Sequence, residues 1–240
     1  VQADALAPVI QLLIDEDAIM PFRSMIMPAI FLLASGAYSS AQAHPHVWVS
    51  VQSELVMDGQ KVKEINHHWT FDEAFSAFAS QGLDENDDGK LSREELQPLA
   101  QVNVESLAEF DYFSDLYEKG MPHTNGTVFG EPYNYWLTLE GDKLVLHFTL
   151  PVVGEVDTHK EAVLDVYDPT FFVDFSFADK DPAKLVNAPA NCQAHVERPK
   201  GLDDDVASQL AAIPADQREI PSDLMQFTVA MANQVFLKCN

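Results

Sequence analysis

From residue 46 to residue 56 hydrophobic and polar positions largely alternate. Val47, Val49, Val51 and Leu55 lie on one side, and His46, Trp48, Ser50, Gln52 and Glu54 on the other. A period of two is that of a half-buried strand. Asp58-Gly59 follows, a dipeptide suited to a tight hairpin, and residues 61–69 return as a second strand through Val62, Ile65 and Trp69. A two-residue turn at Asp58-Gly59 pairs Val56 with Lys61, which sets Trp48 opposite Trp69 as a packing pair and puts His67 on the His46 face. The period then lengthens. Residues 71–83 and 93–110 read as helices, with Phe71, Phe75 and Phe78 on the first and Leu96 and Leu99 on the second, around an acidic loop. Strand-like runs resume at 127–139, 143–150, 161–167, 171–177 and 192–198, separated by Gly-Asp, Pro-Val-Val-Gly and Asp-Pro turns. A weakly helical stretch near 203–212 and an apolar run from Phe227 to Leu237 complete the pattern. It predicts a mainly β fold, antiparallel and sandwich-like, with a helix–loop–helix inserted at about 71–110, α+β overall. No internal repeat interrupts it.

The stretch before residue 44 obeys a different rule. Residues 25–34 are a short apolar run preceded by Arg23 and followed by small residues ending in Ala41-Gln42-Ala43. Charge, apolar run and A-x-A site in that order make a secretory signal, and the run is about half the ~20 residues a spanning helix needs. Asp15, Glu16 and Asp17 lie where a signal should be basic, so residues 1–19 read as an upstream extension with translation starting at Met20 or Met25. The expected organisation is a signal peptide over 1–43 and a single β-rich domain over 44–240, exported to the periplasm.

The formal net charge is −24. A surface that negative repels nucleic acid and anionic membranes and attracts cations. The chain has two cysteines, Cys192 and Cys239. In an oxidising compartment they form one disulfide tying the tail to 192–198; the alternative is a pair of soft metal ligands.

Residues 84–95, Asp-Glu-Asn-Asp-Asp-Gly-Lys-Leu-Ser-Arg-Glu-Glu, match the twelve-residue EF-hand loop. Asp84, Asn86 and Asp88 supply side-chain oxygens at the first, third and fifth positions. Gly89 allows the sharp turn at the sixth, Lys90 offers a carbonyl at the seventh, Ser92 sits at the ninth and Glu95 closes the site. Hard oxygen ligands at this spacing suit Ca²⁺. Ser92 and Glu95 also form a capping box for the outgoing helix. There is no second such loop, which favours a structural ion over a paired calcium switch.

Cleavage after Ala43 would leave His44 with a free α-amine beside its imidazole and His46 two residues on. Amine, His44 Nδ1 and His46 together make a brace-like chelate for Cu²⁺, Zn²⁺ or Ni²⁺. Pro45 has no amide proton, which excludes the chelate built from two deprotonated backbone amides. The bland reading is two polar residues beginning an edge strand. His67 shares the His46 face on the expected register, but about 13 Å along the strand, so only a bulge would let both touch one ion. His123 lies in a Gly/Pro-containing loop able to fold over a site, whereas His147, His159 and His195 read as ordinary strand or loop residues.

His44-Pro45-His46-Val47-Trp48-Val49, His67-His68-Trp69-Thr70-Phe71-Asp72-Glu73, the acidic loop, Asn103-Val104-Glu105-Ser106-Leu107, Phe110-Asp111-Tyr112-Phe113, Leu146-His147-Phe148-Thr149-Leu150-Pro151 and Val166-Tyr167-Asp168-Pro169-Thr170-Phe171-Phe172 resemble, in order, a bacterial family known as domain-of-unknown-function 1007. The resemblance covers about residues 41–200, and Cys239 beyond them. Its members are often labelled as periplasmic components of an ABC-type transport system, and their association with nickel, cobalt or zinc transport implies a metal-handling role and a membrane transporter as partner. Asp168 in the Tyr-Asp-Pro-Thr block becomes either an oxygen ligand or the former of a strand-end turn, the turn being favoured by Asp-Pro-Thr.

No G-x-S-x-G, P-loop, HExxH or dinucleotide fingerprint is present, so the expectation is a binding protein rather than an enzyme. Calcium would occupy Asp84, Asn86, Asp88, Lys90, Ser92 and Glu95, and Zn²⁺, Ni²⁺, Co²⁺ or Cu²⁺ the region of His44, His46, His67 and Asp168. A histidine-brace copper enzyme and a calcium-stabilised interaction module are the alternatives.

Overall fold

Alternation decides the first hairpin. β1 (Val47–Asp58) buries Val47, Val49, Val51, Ser53 and Leu55, and β2 (Lys61–Phe71) buries Val62, Ile65, His67, Trp69 and Phe71. The computed structural model describes residues 45–201, 203–213, 221 and 224–240; the proposed signal segment and His44 lie outside them. The register departs from the simple two-residue count. Asp58 pairs with Lys61 and Met57 with Val62, but Val56 pairs with Glu64, so Lys63 is an extra residue on β2. The turn is therefore one residue later than expected, and a bulge follows it. Their combined shift is odd, so it exchanges the faces of β2. Trp69 faces Val51, not Trp48, and Trp48 is 50% exposed.

After β2, Asp72 starts α1 (Glu73–Ala79) by accepting from the Phe75 amide through Oδ1. Its Oδ2 accepts from the Trp48 amide at 3.0 Å, pinning the helix to β1. α2 (Arg93–Leu107) begins at the expected capping box, in which Ser92 and Glu95 satisfy each other's amides. Both helices are shorter than the predicted 71–83 and 93–110. A 3-10 turn (Ala108–Phe113) leads into β3 (Ser114–Glu118), an element absent from the sequence reading. β4 (Tyr133–Glu140), β5 (Lys143–Pro151), β6 (Ala162–Val166), β7 (Val173–Phe177) and β9 (Cys192–Glu197) fall within the predicted runs to a residue or so, except that β4 starts six residues late. The short β8 (Ala183–Val186) is a further addition. α3 (Asp204–Ala211) matches the weak helix, and the last apolar run divides into α4 (Met225–Val229) and β10 (Asn233–Cys239).

Two sheets result, one ordered β4-β5-β2-β1-β7 with β8 beside the far half of β1, the other β3-β6-β10-β9. The second is antiparallel throughout. The first is mixed, because β7 and β8 run parallel to β1, a correction to the antiparallel expectation. Parallel neighbours require crossovers, here made through the second sheet. Both sheets face one core containing Trp69, Leu146, Phe148 and Leu150 from the first and Leu116, Leu164, Val235 and Leu237 from the second. Phe75, Leu96 and Leu99 fix the helices to the same core. Cys192 and Cys239 are cross-strand partners and form the disulfide.

Candidate functional site

Loop 80–92 is organised by its own side chains. Asp84 accepts from the Asp88 amide at 3.1 Å and the Gly89 amide at 2.8 Å, Asn86 Oδ1 from the Asp88 amide at 2.9 Å, and Asp88 Oδ1 from the Lys90 amide at 2.8 Å. Gly89 sits at φ 77°, where a side chain would be strained. Glu95 reaches back from α2: Oε2 accepts from the Ser92 amide and hydroxyl, each at 2.8 Å, and Oε1 from the Glu85 amide at 3.0 Å. The Ser92 amide and then its hydroxyl hold the Glu95 carboxyl below the usual carboxylate range.

Of the four residues expected around a transition metal, His44 lies outside the described part. His46 enters at the mouth of the sheet, where its amide donates to the Phe172 carbonyl at 2.9 Å and its ring lies 4.8 Å from that of Phe172. Burial lowers its pKa, which favours the neutral imidazole. Asp168 reaches the same corner through the other side of Phe172. Its Oδ2 accepts from the Phe172 and Val173 amides and its Oδ1 from the Thr170 amide and hydroxyl, so the buried carboxylate forms the strand-end turn. His67 does not join them. It faces the core with 0% exposure, opposite Ser53. Seven positions along β1 separate that rung from His46, about 23 Å. The expectation that His67 shares the His46 face is overturned by the turn and the bulge.

The same shift brings His68 to the outer face instead. A row crosses four strands there: Gln52, His68, His147 and Trp136 are successive cross-strand partners. The Nδ1 atoms of His68 and His147 are 2.7 Å apart. His147 Nε2 is 3.0 Å from the Thr138 hydroxyl, and His68 Nε2 is 3.8 Å from Glu54 Oε1. Trp136 stacks on His147 at 4.7 Å, and the Arg93 guanidinium lies 4.7 Å above Trp136. Burial, then the charges of His68 and Arg93, push the His147 pKa down to about 4. Strand parity alone separates His68 from His67, but its partner on β5 leaves no local trace in the sequence.

A third cluster covers the outer face of the other sheet. Asp115, Asp165 and Gln234 are consecutive partners across β3, β6 and β10. His123 folds over them, as its loop allows, with Nδ1 2.8 Å from Asp115 Oδ2. Asp115 also accepts from the Thr124 amide and hydroxyl, while Asp165 accepts from Tyr117 at 3.0 Å and Gln234 at 2.8 Å. Burial raises the Asp165 pKa, and the same cause, followed by the Asp165 charge, pushes Tyr117 above its usual value. Beside it Asp111, Tyr112 and Phe113 are all left-handed, at φ 51°, 57° and 46°, a strained run for residues that carry a Cβ. Among the described residues no group of three or more His, Cys, Asp or Glu is gathered as around a metal ion.

Residues 29–239 match the family described as "Protein of unknown function (DUF1007)". A relative in Haemophilus influenzae, described as an uncharacterized protein, is 23% identical over 199 residues, which span 82% of this chain and 91% of the relative. The family match spans both sheets, the inserted helices and the disulfide, as the ordered blocks of the sequence imply, and the chain belongs to the DUF1007 family.

Proposed function

We propose that this protein binds divalent metal in the periplasm: calcium as a structural ion in the EF-hand loop 84–95, and a transition metal on imidazole nitrogen, as the accessory or binding component of a membrane metal transporter. The observation that carries the reading is the inward turn of Asp84, Asn86 and Asp88, whose oxygens already converge on the loop amides of residues 88–90. An oxygen that accepts one amide hydrogen keeps a second lone pair for a cation. Glu95 is three residues after the loop's ninth position and would leave its cap to supply the closing pair of oxygens. The disulfide fits an oxidising compartment, and the transporter is what the resemblance of the sequence blocks implies.

A structural ion suits the anchoring of the helices. Phe75 stacks on Phe71 at 4.6 Å, and the Ser76 hydroxyl accepts from the Leu144 amide at 2.9 Å. With α1 tied to the sandwich at both the ring and the backbone, the helix pair has little room to open a groove. Calcium at a hundred times its Kd would stabilise the fold by about 2.7 kcal/mol, a rise in Tm of roughly 5–10 °C for a domain of this size. Thermal unfolding with calcium and with EDTA, on the native chain and on Asp84→Ala, tests this. A Tm indifferent to calcium in the native chain rejects the calcium site, and a large calcium-induced increase in hydrophobic-dye binding rejects the structural role.

A further inference from the structure

We propose that His68 and His147 form the site for a divalent d-block cation of the zinc class, each ligating through Nδ1. This rests on the transition-metal reading above and moves the ion from the chain's start to the outer face of the first sheet.

Three features meet there. The two Nδ1 atoms converge, 2.7 Å apart. Nitrogens sharing a tetrahedral ion at about 2.0–2.1 Å stand about 3.3 Å apart, so the pair must open by about 0.6 Å and each ring must turn to aim its Nδ1 lone pair at the ion rather than at the other nitrogen. The opposite ring nitrogens face groups of the right sense. Ligation through Nδ1 requires the proton on Nε2: His147 Nε2 is at hydrogen-bond distance, 3.0 Å, from the Thr138 hydroxyl, and His68 Nε2 is 3.8 Å from the Glu54 carboxylate, within ion-pair reach but beyond a direct hydrogen bond. Such partners fix the tautomer and orient a metal-ligating imidazole. In the metal-free pair one Nδ1–H donates a hydrogen bond to the other Nδ1; when both rings are neutral, ligation requires that proton to shift to the Nε2 of the same ring, and no net proton is lost.

The surroundings leave room for the remaining ligands. His68 lies between two depressions, one of about 240 Å³ lined by Gln52, Glu54, Asp181 and Lys184, the other of about 130 Å³ lined by Asn66, Asn134, Trp136 and Thr149. Two protein ligands with open positions hold an ion exchangeably, as delivery requires, and imidazole selects zinc, copper or nickel over calcium. Lys184 pairs with Glu54 at 2.8 Å and is the nearest competing cation. His147 is held flat by Trp136, and Trp136 by Arg93 in the first turn of α2. That stack joins the acidic loop to the histidine pair.

Zinc titration with excess calcium present, which keeps the loop oxygens engaged, is the test. Imidazole ¹⁵N NMR of the native chain should move Nδ1 of His68 and His147 on addition of Zn²⁺, a readout that needs no substitution. His68→Gln and His147→Gln should each weaken zinc at least tenfold, whereas His46→Gln should leave affinity within twofold. If Nδ1 of neither residue moves and the double variant keeps native affinity, this site is rejected while metal handling stands. If the native chain takes up no zinc, both readings fall.

Discussion

His67 and Ser53 face each other across the central hairpin inside the core, with the Ser53 hydroxyl 3.1 Å from His67 Nδ1. The Trp69 indole N–H also donates to that nitrogen, at 3.3 Å. An indole nitrogen can only donate, so Nδ1 is the acceptor and the ring proton sits on Nε2, 3.5 Å from the Ser114 hydroxyl. Protonating Nδ1 would set one N–H against another in a site closed to solvent. Burial first, and then the neighbouring His68, push the His67 pKa down to about 3.

The direction of that shift fixes a pH dependence. His67 is neutral in the fold, whereas in the unfolded chain it takes up a proton below about pH 6.5. The stability it protects is complete above pH 6.5 and is lost as the pH falls from there toward about 3, by up to about 1.4 kcal/mol per pH unit. His147, with its pKa at about 4, acts in the same sense. Buried Asp165 and Asp168, whose pKa values are raised, act in the opposite sense. The informative quantity is therefore the difference between native chain and His67→Gln in urea midpoints from pH 7 to pH 4. The variant should be less stable at pH 7 and should close that gap as the pH falls; parallel curves would show that His67 does not titrate this way.

Asp115 and Asp165 occupy one rung, yet their substitution by Asn should have opposite effects. Asp115 gathers the Thr124 amide and hydroxyl and His123, so Asp115→Asn places a donor against donors and should cost about 2 kcal/mol. Burial already drives Asp165 toward its neutral form, with the Asp115 charge adding to it. Asp165→Asn keeps an acceptor for Gln234, and Tyr117 can turn its hydroxyl to accept. That variant should match or exceed native stability at pH 7, with the advantage shrinking as the pH falls. Chemical denaturation of both variants at pH 7 and pH 5 decides this, and a heavy loss in Asp165→Asn would mean that its charge is needed.

What the sequence disclosed follows from range. The alternation of β1, the capping box at Ser92 and Glu95, and an acidic stretch between two helices are local patterns, and the structure has each of them. The turn of Asp168 and the joining of Cys192 to Cys239 were readable too, one from Asp-Pro-Thr and the other from a count of two cysteines. The extra residue at Lys63 has no sequence mark, and it misplaced His67, His68 and Trp69 together, because a strand has only two faces. The parallel pairing of β7 and β8 with β1 and the meeting of Asp115 with Asp165 depend on strands far apart in the chain. Nothing in either partner announces the other.

The disulfide closes a loop with a sequence separation of 47 across adjacent strands. Loop-closure entropy for such a length amounts to about 4 kcal/mol. Removing it with Cys192→Ser and Cys239→Ser together should lower stability by about 2–4 kcal/mol while leaving the β-sheet circular dichroism intact, since β10 is also held by β6. A loss below about 0.5 kcal/mol would place the stability of this edge in the strand pairing alone.

The strained run at Asp111–Phe113 depends on a glycine from the next loop. A Cβ built at Gly126 would come within 2.9 Å of the Asp111 Cβ, and Gly126 itself is left-handed at φ 69°. Gly141, in the turn between β4 and β5, has nearly the same φ, 68°, but nothing within 4 Å of an added Cβ. The two positions therefore separate backbone strain from contact. Gly141→Ala should cost about 1–2 kcal/mol, the conformational penalty alone. Gly126→Ala adds a clash with backbone and Cβ atoms that cannot rotate away, and should cost at least about 1 kcal/mol more. It should also disturb the Asp115–His123 contact four residues beyond Asp111, visible as a shift of the His123 imidazole resonances that Gly141→Ala leaves unchanged. Equal losses in the two variants, with His123 unmoved, would mean that the loop slides off Asp111 freely and that Gly126 does not hold the strained run in place.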